Sequence, residues 1–212
     1  MRAQQLSQAD HERIAAAIRK AELGTSGEIF CVLAKRSDDY FFVSGFMAAA
    51  SVLIAMVITG YVVDFGWREV PGYMLPLAGF GALAAALCLL YYLPGLRIFL
   101  VPRYLRYRRA SANAVRQFLS RNIHRTAART GVLIFLSLEE RYAEIVADSG
   151  IDDVVDQKVW NGIVAKLIDS AARGAVATGY IEAIGAVGAL LAENFPADDG
   201  GPNELDDHLA EI

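Results

Sequence analysis

Two long apolar runs that contain no charged residue, 41–63 and 73–93, most constrain what this chain can fold into. At about 1.5 Å of rise per residue, a helix over either run spans the roughly 30 Å hydrocarbon core of a bilayer. The sequence therefore predicts two transmembrane helices. The alternative is a fully buried helical pair in a water-soluble protein, but uncharged stretches of this length are rare in soluble domains.

The charges that flank the two runs predict their orientation. Lys35 and Arg36 precede the first run, and nine arginines lie from Arg97 to Arg129 with no acidic residue between positions 70 and 138. The connector 64–72 is short, so the runs form a hairpin. Because cytoplasmic flanks carry the excess of Lys and Arg, we expect an integral membrane protein with both termini in the cytoplasm.

Charge is divided unequally along the chain. Residues 65–138 carry ten basic and one acidic side chain, whereas residues 139–212 carry four basic and sixteen acidic ones. A basic segment next to a membrane suits an anionic leaflet. Nucleic acid is the alternative partner for so many arginines, but few aromatic residues interleave with them away from the apolar runs, so the sequence predicts no nucleic-acid binding. The predicted partners are the bilayer and other membrane proteins.

Small residues predict where the two apolar helices meet. Ala78, Ala82 and Ala86 form a stripe on the second run, and Gly45 with Ala49 gives a flat patch on the first. Close approach of helices in lipid requires such residues.

The remaining segments have the patterns of a soluble domain. Ser7 and Asp10 indicate the start of a helix that runs to about Glu22. Strands are predicted at Glu28–Ala34, 132–138 and Tyr142–Ala147, and helices at 103–129, 155–172 and 177–194. The long helix is expected to face the core with Ala112, Val115, Phe118, Leu119 and Ile123.

The first strand cannot stand alone, because an isolated strand leaves its backbone groups unpaired. We expect it to pair with 132–138, which makes residues 1–37 and 103–196 one discontinuous domain. The predicted fold class is α/β, a small β-sheet flanked by helices, with the transmembrane hairpin 41–63 and 73–93 inserted after the first strand. Residues 197–212 are predicted to be an acidic flexible tail.

Several of these stretches resemble the TPM domain family. They are residues 25–29 (TSGEI) after an N-terminal helix, residues 129–148 (RTGVLIFLSLEERYAEIVAD), Trp160, residues 195–196 and residues 203–205. The chain is most similar to a bacterial membrane branch that has a helical hairpin after the first strand. This resemblance implies a compact α/β sandwich, and among relatives it implies weak acid phosphatase activity or calcium binding by acidic loop residues. Many relatives place the domain outside the cytosol, but the arginine distribution favours the cytoplasm here.

Four carboxylates follow the strand Tyr142–Ala147: Asp148, Asp152, Asp153 and Asp156. Hard cations prefer several oxygen ligands at short range, so this loop is a candidate site for Ca²⁺ or Mg²⁺. Glu28, which opens the first strand, either completes the site or pairs with an arginine. The alternative is that the acids cap the next helix and complement its dipole. By the resemblance, Asp148 and Asp152 carry over best.

No arrangement of residues in the sequence defines a catalytic centre. His124 lies near the end of the long helix, where packing is its commoner role, and no serine has the setting of a hydrolase nucleophile. The sequence favours a non-enzymatic, membrane-tethered interaction or accessory module that binds membrane proteins and a divalent cation. The alternatives are a metal-dependent acid phosphatase and a sensor of lipids or small molecules.

Overall fold

A computed structural model describes residues 6–66, 71–126, 129–152, 154–197, 205 and 207–212, with the Asp152 side chain excluded. The chain divides into two compact units. Met1–Ser37 and Tyr107–Ile212 form the first unit, and Asp38–Arg106 form the second.

The helices and strands of the described residues are as follows. The helices are α1 (Gln8–Glu22), α2 (Phe41–Phe65), α3 (Met74–Tyr92), α4 (Arg97–Leu100), α5 (Arg103–Ser120), α6 (Ser149–Asp152), α7 (Gln157–Ala172) and α8 (Val176–Asn194). The strands are β1 (Glu28–Ala34), β2 (Gly131–Ser137), β3 (Tyr142–Ala147) and β4 (Leu209–Glu211), and 3-10 turns occupy Pro94–Leu96 and Ile123–Arg125.

The four strands form one mixed sheet in the order β3-β2-β1-β4. Strands β1 and β2 are parallel and in register from Glu28 opposite Gly131 to Ala34 opposite Ser137, so the predicted pairing of these segments is confirmed. Strand β3 returns antiparallel to β2, and β4 adds in parallel to β1. The fold class is α/β, a small sheet flanked by helices, as the sequence predicts.

Alternate residues of the strands enter two separate cores. Ile29, Cys31 and Leu33 pack with α1, α7 and α8, whereas Phe30 and Val32 pack with α5. Both faces of β1 and β2 are covered, which explains why these segments are continuous apolar runs without alternation. The sheet is therefore the middle of three layers.

The predicted helix 103–129 is shorter than expected. Helix α5 ends at Ser120, and Asn122 has a positive φ of 57° that stops the helix before a 3-10 turn. Its core-facing residues are Ala110, Asn113, Ala114 and Phe118, so Phe118 and Ile123 are buried as predicted, while Ala112, Val115 and Leu119 are exposed. Apolar residues occur on two sides of α5, and the side with the larger aliphatic residues, Val115 and Leu119, is the exposed one.

The end of the chain departs from the expected flexible tail. Leu209–Glu211 form β4, whose residues pair with Cys31–Leu33 of β1. Leu209 and Ala210 are buried in the two different cores, and the His11 ring nitrogen Nε2 lies 3.0 Å from Oε1 of Glu211. Burial on both faces fixes a strand that is too short for a local sequence signal.

In the second unit, α2 and α3 pack against each other. An added Cβ on Gly79 would lie 2.0 Å from the Met56 sulfur, so the Met56 side chain packs directly against this glycine. Ala78 and Ala82 of the predicted stripe are exposed instead, one position away around the helix. Ala86, the third residue of the predicted stripe, is half-buried and lies seven residues after Gly79 on the same side of α3, so the prediction is correct for Ala86 and wrong for Ala78 and Ala82.

Three helices of the described residues have the length and apolarity to cross a membrane: α2, α3 and α8. They differ in burial. Within an apolar stretch of 18 residues in each helix, 11% of the stretch is buried in α2 and in α3, whereas 50% of it is buried in α8.

Candidate functional site

The candidate metal site lies at one end of the sheet, where β1 and β2 begin and β3 ends. Gly131 of β2 lies between the two acids. It is opposite Glu28 of β1, and on the side of β3 its carbonyl accepts a hydrogen bond of 2.9 Å from the Asp148 N–H. Strands are spaced about 4.8 Å apart, which places the Cα atoms of Glu28 and Asp148 roughly 10 Å from each other. Residues in register share a face, so both acids lie on the side of the sheet that packs with α5.

The shape of this end depends on Gly131. An added Cβ there would lie 2.4 Å from the Ile123 carbonyl oxygen, because the 3-10 turn Ile123–Arg125 crosses directly over the strand. His124 belongs to this turn, and its Nδ1 is buried without a hydrogen-bond partner among the described residues. Its ring lies 6.3 Å from that of Phe118, in the packing position expected from the sequence.

Asp148 is the most constrained of the predicted ligands. Its side chain is buried, with only 8% of the residue exposed. Oδ1 accepts hydrogen bonds from the Ser149 N–H at 2.6 Å and the Ser149 hydroxyl at 3.2 Å. Oδ2 is buried and has no hydrogen-bond partner among the described residues. A buried oxygen without a donor is costly, and a cation is one group that could compensate it.

The other predicted ligands are placed differently. Asp152 lies in the short helix α6, but its side chain and the whole of Asp153 lie outside the described residues. Asp156 is exposed and is the N-cap of α7, where its carboxylate accepts a hydrogen bond of 2.9 Å from the Lys158 N–H. For Asp156 the structure gives the capping role that the sequence left as the alternative.

Within the described residues, no group of three or more His, Cys, Asp or Glu side chains could hold a metal ion. Calcium takes six to eight oxygen ligands, typically about 2.4 Å away. Glu28 and Asp148 are therefore an incomplete set, and the predicted site depends on acids outside the described part of the loop.

Two acids that the sequence did not single out also belong to this end of the sheet. Glu22, the last residue of α1, is near Glu28 and Asp207, and its carboxylate accepts a hydrogen bond from the Ile29 N–H. The pKa of Glu22 is raised to about 8. Burial is the largest cause, and the neighbouring acids Glu28 and Asp207 contribute in the same direction. Asp207 is far from Glu22 and Glu28 in the chain, so no motif spacing could have indicated this cluster.

The second unit has its own polar centre at the base of the hairpin. Arg97 is buried after α3, where its guanidinium donates to the Leu90 carbonyl at 2.9 Å and to the Tyr91 carbonyl at 3.3 Å. It also forms an ion pair with Asp39 and lies over the Phe41 ring, 5.0 Å from its centroid. Asp39, two residues before α2, and Arg97, the first residue of α4, are thus joined at one end of the hairpin.

Comparison with known families agrees with the resemblance in the sequence. Residues 95–190 match the TPM domain. This segment contains α5, β2, β3 and α7, whereas β1, which carries Glu28, lies outside it. The match to this segment confirms the resemblance to the TPM domain family.

A search of curated proteins finds no match. Among solved structures, the chain is similar to the NMR structure of the BA42 protein from the psychrophilic bacterium Bizionia argentinensis. The TM-score is 0.60 at 19% identity, and the alignment covers 100% of this chain and 99% of that chain. At this identity the similarity shows the fold.

Proposed function

We propose that this chain is a TPM-domain protein anchored in a membrane by α2 and α3, and that its α/β domain is an interaction or accessory module for other membrane proteins. The observation that carries the proposal is the exposure of these helices, with only 11% of each apolar stretch buried. Phe46, Val57 and Phe80 are among the large side chains exposed on the pair. In water this would be a very large apolar patch, whereas lipid is a suitable solvent for it.

The proposal uses two spans and leaves α8 in the domain. Tyr180, Ile184 and Leu191 of α8 are buried in the core beside α1 and α7. An added Cβ on Gly188 would lie 2.6 Å from the Ala21 Cβ, so α8 and α1 are in close contact. Insertion of α8 into lipid would remove one wall of this core.

We also propose that both termini are cytoplasmic. The charge distribution supports this orientation, because the arginines that follow α3 are not balanced by acids up to position 138. The joining of Asp39 and Arg97 supports a hairpin whose two ends emerge on one side.

Extraction and labelling test the anchor and its orientation in cells. The full chain is expected to resist alkaline extraction from the membrane. In a Cys88→Ala background, Gly66→Cys is expected to react with an impermeant thiol reagent in intact cells, whereas Lys166→Cys on α7 reacts only after permeabilisation. Release by alkali contradicts anchoring, and labelling of Lys166→Cys in intact cells contradicts the orientation.

A second candidate function is divalent-cation binding at the Glu28–Asp148 end of the sheet. The buried Oδ2 of Asp148 favours it, and Asp152 and Asp153 are the nearest acids in sequence that could complete the site. Bound Ca²⁺ or Mg²⁺ would supply positive charge to Asp148 and stabilise the end of β3. For a phosphatase, such a cation would also orient a phosphoryl group.

Melting of the detergent-solubilised chain with added Ca²⁺ or Mg²⁺ tests this candidate. Asp148→Asn is expected to abolish the stabilisation by the cation, whereas Asp169→Asn, an exposed acid on α7, keeps it. No stabilisation of the unmodified chain contradicts cation binding. Phosphate release from a simple monoester, measured on the same samples, distinguishes a phosphatase from an interaction module. Turnover by the original chain that is lost in Asp148→Asn supports the phosphatase. The absence of turnover supports the interaction role.

A further inference from the structure

The surface of α5 that points away from the sheet has an unusual composition. One side of the helix is buried through Ala110, Ala114 and Phe118. The opposite side, which we call the outer face of α5, is exposed and consists of Arg108, Arg109, Ala112, Val115, Arg116 and Leu119. Val115 is 43% exposed and Leu119 is 53% exposed. Apolar and basic side chains therefore share one solvent-facing surface.

The positions of these residues create a regular surface. Arg108, Ala112, Val115 and Leu119 follow one another at spacings of three or four, so they lie in one row along the helix. Arg109 and Arg116 are seven residues apart and lie beside this row. A helix with aliphatic side chains in its centre and arginines along its edge is typical of helices that lie in the interface of a bilayer.

The charge around α5 points to an anionic partner. The helix contains five arginines and no acid, and no acid occurs from position 70 to 138. Glu144 of β3 contacts the flank of α5, where its carboxylate accepts hydrogen bonds from the Ser111 and Tyr142 hydroxyls at 3.3 and 3.0 Å. The outer face carries three arginines, Arg108, Arg109 and Arg116, and phosphate groups are the chemical complement of such a face.

The chain path brings α5 within reach of lipid headgroups. Ten residues, 93–102, separate the end of α3 from the start of α5. A fully extended chain of that length covers at most about 35 Å, and the helical turns in this stretch shorten it. Phe99, in α4, is 83% exposed within the same connection. If α3 ends at the membrane surface, α5 begins close to it.

We propose that the outer face of α5 docks on the anionic headgroups of the leaflet into which α2 and α3 are anchored. The arginines contact lipid phosphates, while Val115 and Leu119 enter the boundary with the acyl chains. This inference rests on the proposed membrane anchoring and adds a second contact with lipid, which restricts the orientation of the α/β domain at the surface. The occupant is the lipid surface itself.

Fluorescence of a labelled full chain in lipid nanodiscs tests the proposal. A polarity-sensitive dye is attached to Val115→Cys in a Cys88→Ala background, and discs of phosphatidylcholine alone are compared with discs that contain phosphatidylglycerol. We expect a blue shift and protection from an aqueous quencher only in the anionic discs, and loss of both in about 1 M salt, where the Debye length is about 3 Å. A dye at Glu182→Cys on the exposed side of α8 is expected to show neither change.

Charge removal provides the second arm. Arg109→Gln with Arg116→Gln is expected to weaken docking about 30-fold, the factor implied by about 1 kcal/mol per arginine near an anionic surface. Lys166→Gln with Arg173→Gln removes the same charge from α7 and is expected to leave docking unchanged. Circular dichroism establishes that both variants remain folded.

The outcomes separate this inference from the anchoring on which it rests. A chain that co-elutes with the discs but leaves the Val115→Cys dye equally accessible in both lipids overturns the docking and leaves the anchor in place. Protection in detergent that rises with protein concentration overturns it in favour of contact with a second copy. A chain that does not associate with discs of either composition overturns the anchor and the docking together.

Discussion

The side-chain oxygen Oε1 of Glu22, at the end of α1, accepts a hydrogen bond of 2.8 Å from the backbone N–H of Ile29 in β1. Strand β4 pairs only with Cys31–Leu33, so the Glu22 side chain satisfies a backbone donor at a position on β1 that β4 does not reach. Burial raises the pKa of this carboxyl to about 8, with further contributions from Glu28 and Asp207. Glu22 therefore retains its proton at neutral pH while it joins the helix to the sheet.

This relationship predicts that the domain loses stability as the pH rises. The pKa of Glu22 is about 8 in the folded chain against a usual value of 4.5, so folding favours the protonated form. The stabilisation is complete below the unfolded pKa and is lost as the pH rises through the folded one. Glu22→Gln keeps an acceptor for the Ile29 N–H and removes the titrating group. We therefore expect the melting temperature to depend less on pH, and the free energy of unfolding at alkaline pH to rise by an amount on the order of 2 kcal/mol. This figure is reduced to allow for the partial contact of Glu22 with solvent.

Thermal melts of the detergent-solubilised chain across this pH range measure the effect. Glu12→Gln, an exposed change on the same helix, is expected to keep the pH dependence of the original chain. A Glu22→Gln profile as steep as that of the original would show that another group controls the alkaline loss.

The second prediction concerns the docking of β4. Leu209 is 4% exposed in the core, whereas Ile212, the last residue, is 42% exposed. Leu209→Ala is expected to lower the free energy of unfolding by about 2–3 kcal/mol, because it removes buried apolar volume, and Ile212→Ala by less than about 1 kcal/mol.

Amide exchange gives a local measurement of the same event. The Lys35 N–H donates to the Ile212 carbonyl at 2.9 Å, so its exchange is expected to become faster in Leu209→Ala and to stay slow in Ile212→Ala. Equal exchange in both variants would mean that β4 does not depend on its buried leucine.

The elements that could be predicted from the sequence are those whose signals are local. The Ser7–Asp10 capping box marks the start of α1, and the unbroken apolar runs of β1 and β2 mark strands with two covered faces. Strand β4 and the buried face of α5 depend instead on tertiary contacts. Three residues in an acidic stretch carry little pattern, and an arginine-rich helix with apolar residues on two sides does not reveal which side is buried.

The candidate site shows the same division. Asp148 could be located because it directly follows β3, and it is buried at the end of the sheet. Asp156 has the same chemistry in the sequence, yet it serves as a helix cap. Glu22 lies near both Glu28 and Asp207 because α1 and the end of the chain meet β1, a relationship that no motif spacing encodes.

The third prediction concerns the base of the hairpin. The Arg97 guanidinium donates a buried hydrogen bond to the Leu90 carbonyl and a half-buried one to the Tyr91 carbonyl, and it pairs with Asp39, so Arg97→Met removes three polar contacts of which one is buried. We expect a loss of about 2–4 kcal/mol in the stability of the second unit, measured by denaturation in detergent. Arg97→Lys is expected to lose less, because it keeps the charge but not the planar fork.

Arg173→Met is the control for this change, since Arg173 is an exposed arginine paired with Asp169 on the surface of α7. It is expected to change stability by less than about 1 kcal/mol. If Arg97→Met and Arg173→Met have the same effect, the base of the hairpin is not held by the buried guanidinium.

Two glycine-to-alanine changes are expected to act in opposite directions. An added Cβ on Gly131 would lie 2.4 Å from the Ile123 carbonyl oxygen and 2.8 Å from its Cγ2, so Gly131→Ala forces the turn Ile123–Arg125 away from β2. We expect a loss of about 2–3 kcal/mol. A Cβ on Gly162, within α7, would meet nothing within 4 Å, and Gly162→Ala is expected to gain about 1 kcal/mol from the higher helix propensity of alanine.

Melting temperatures of the two variants, measured in the same detergent, test these two expected changes in stability. The pair matters for function because the Gly131 carbonyl accepts the hydrogen bond from Asp148, so displacement of β2 would also displace the candidate ligand. Gly131→Ala is therefore expected to weaken any stabilisation by Ca²⁺ or Mg²⁺, while Gly162→Ala preserves it. Stabilisation by both alanines would show that the turn yields without cost, and the close packing of Ile123 would then have no role in shaping this end of the sheet.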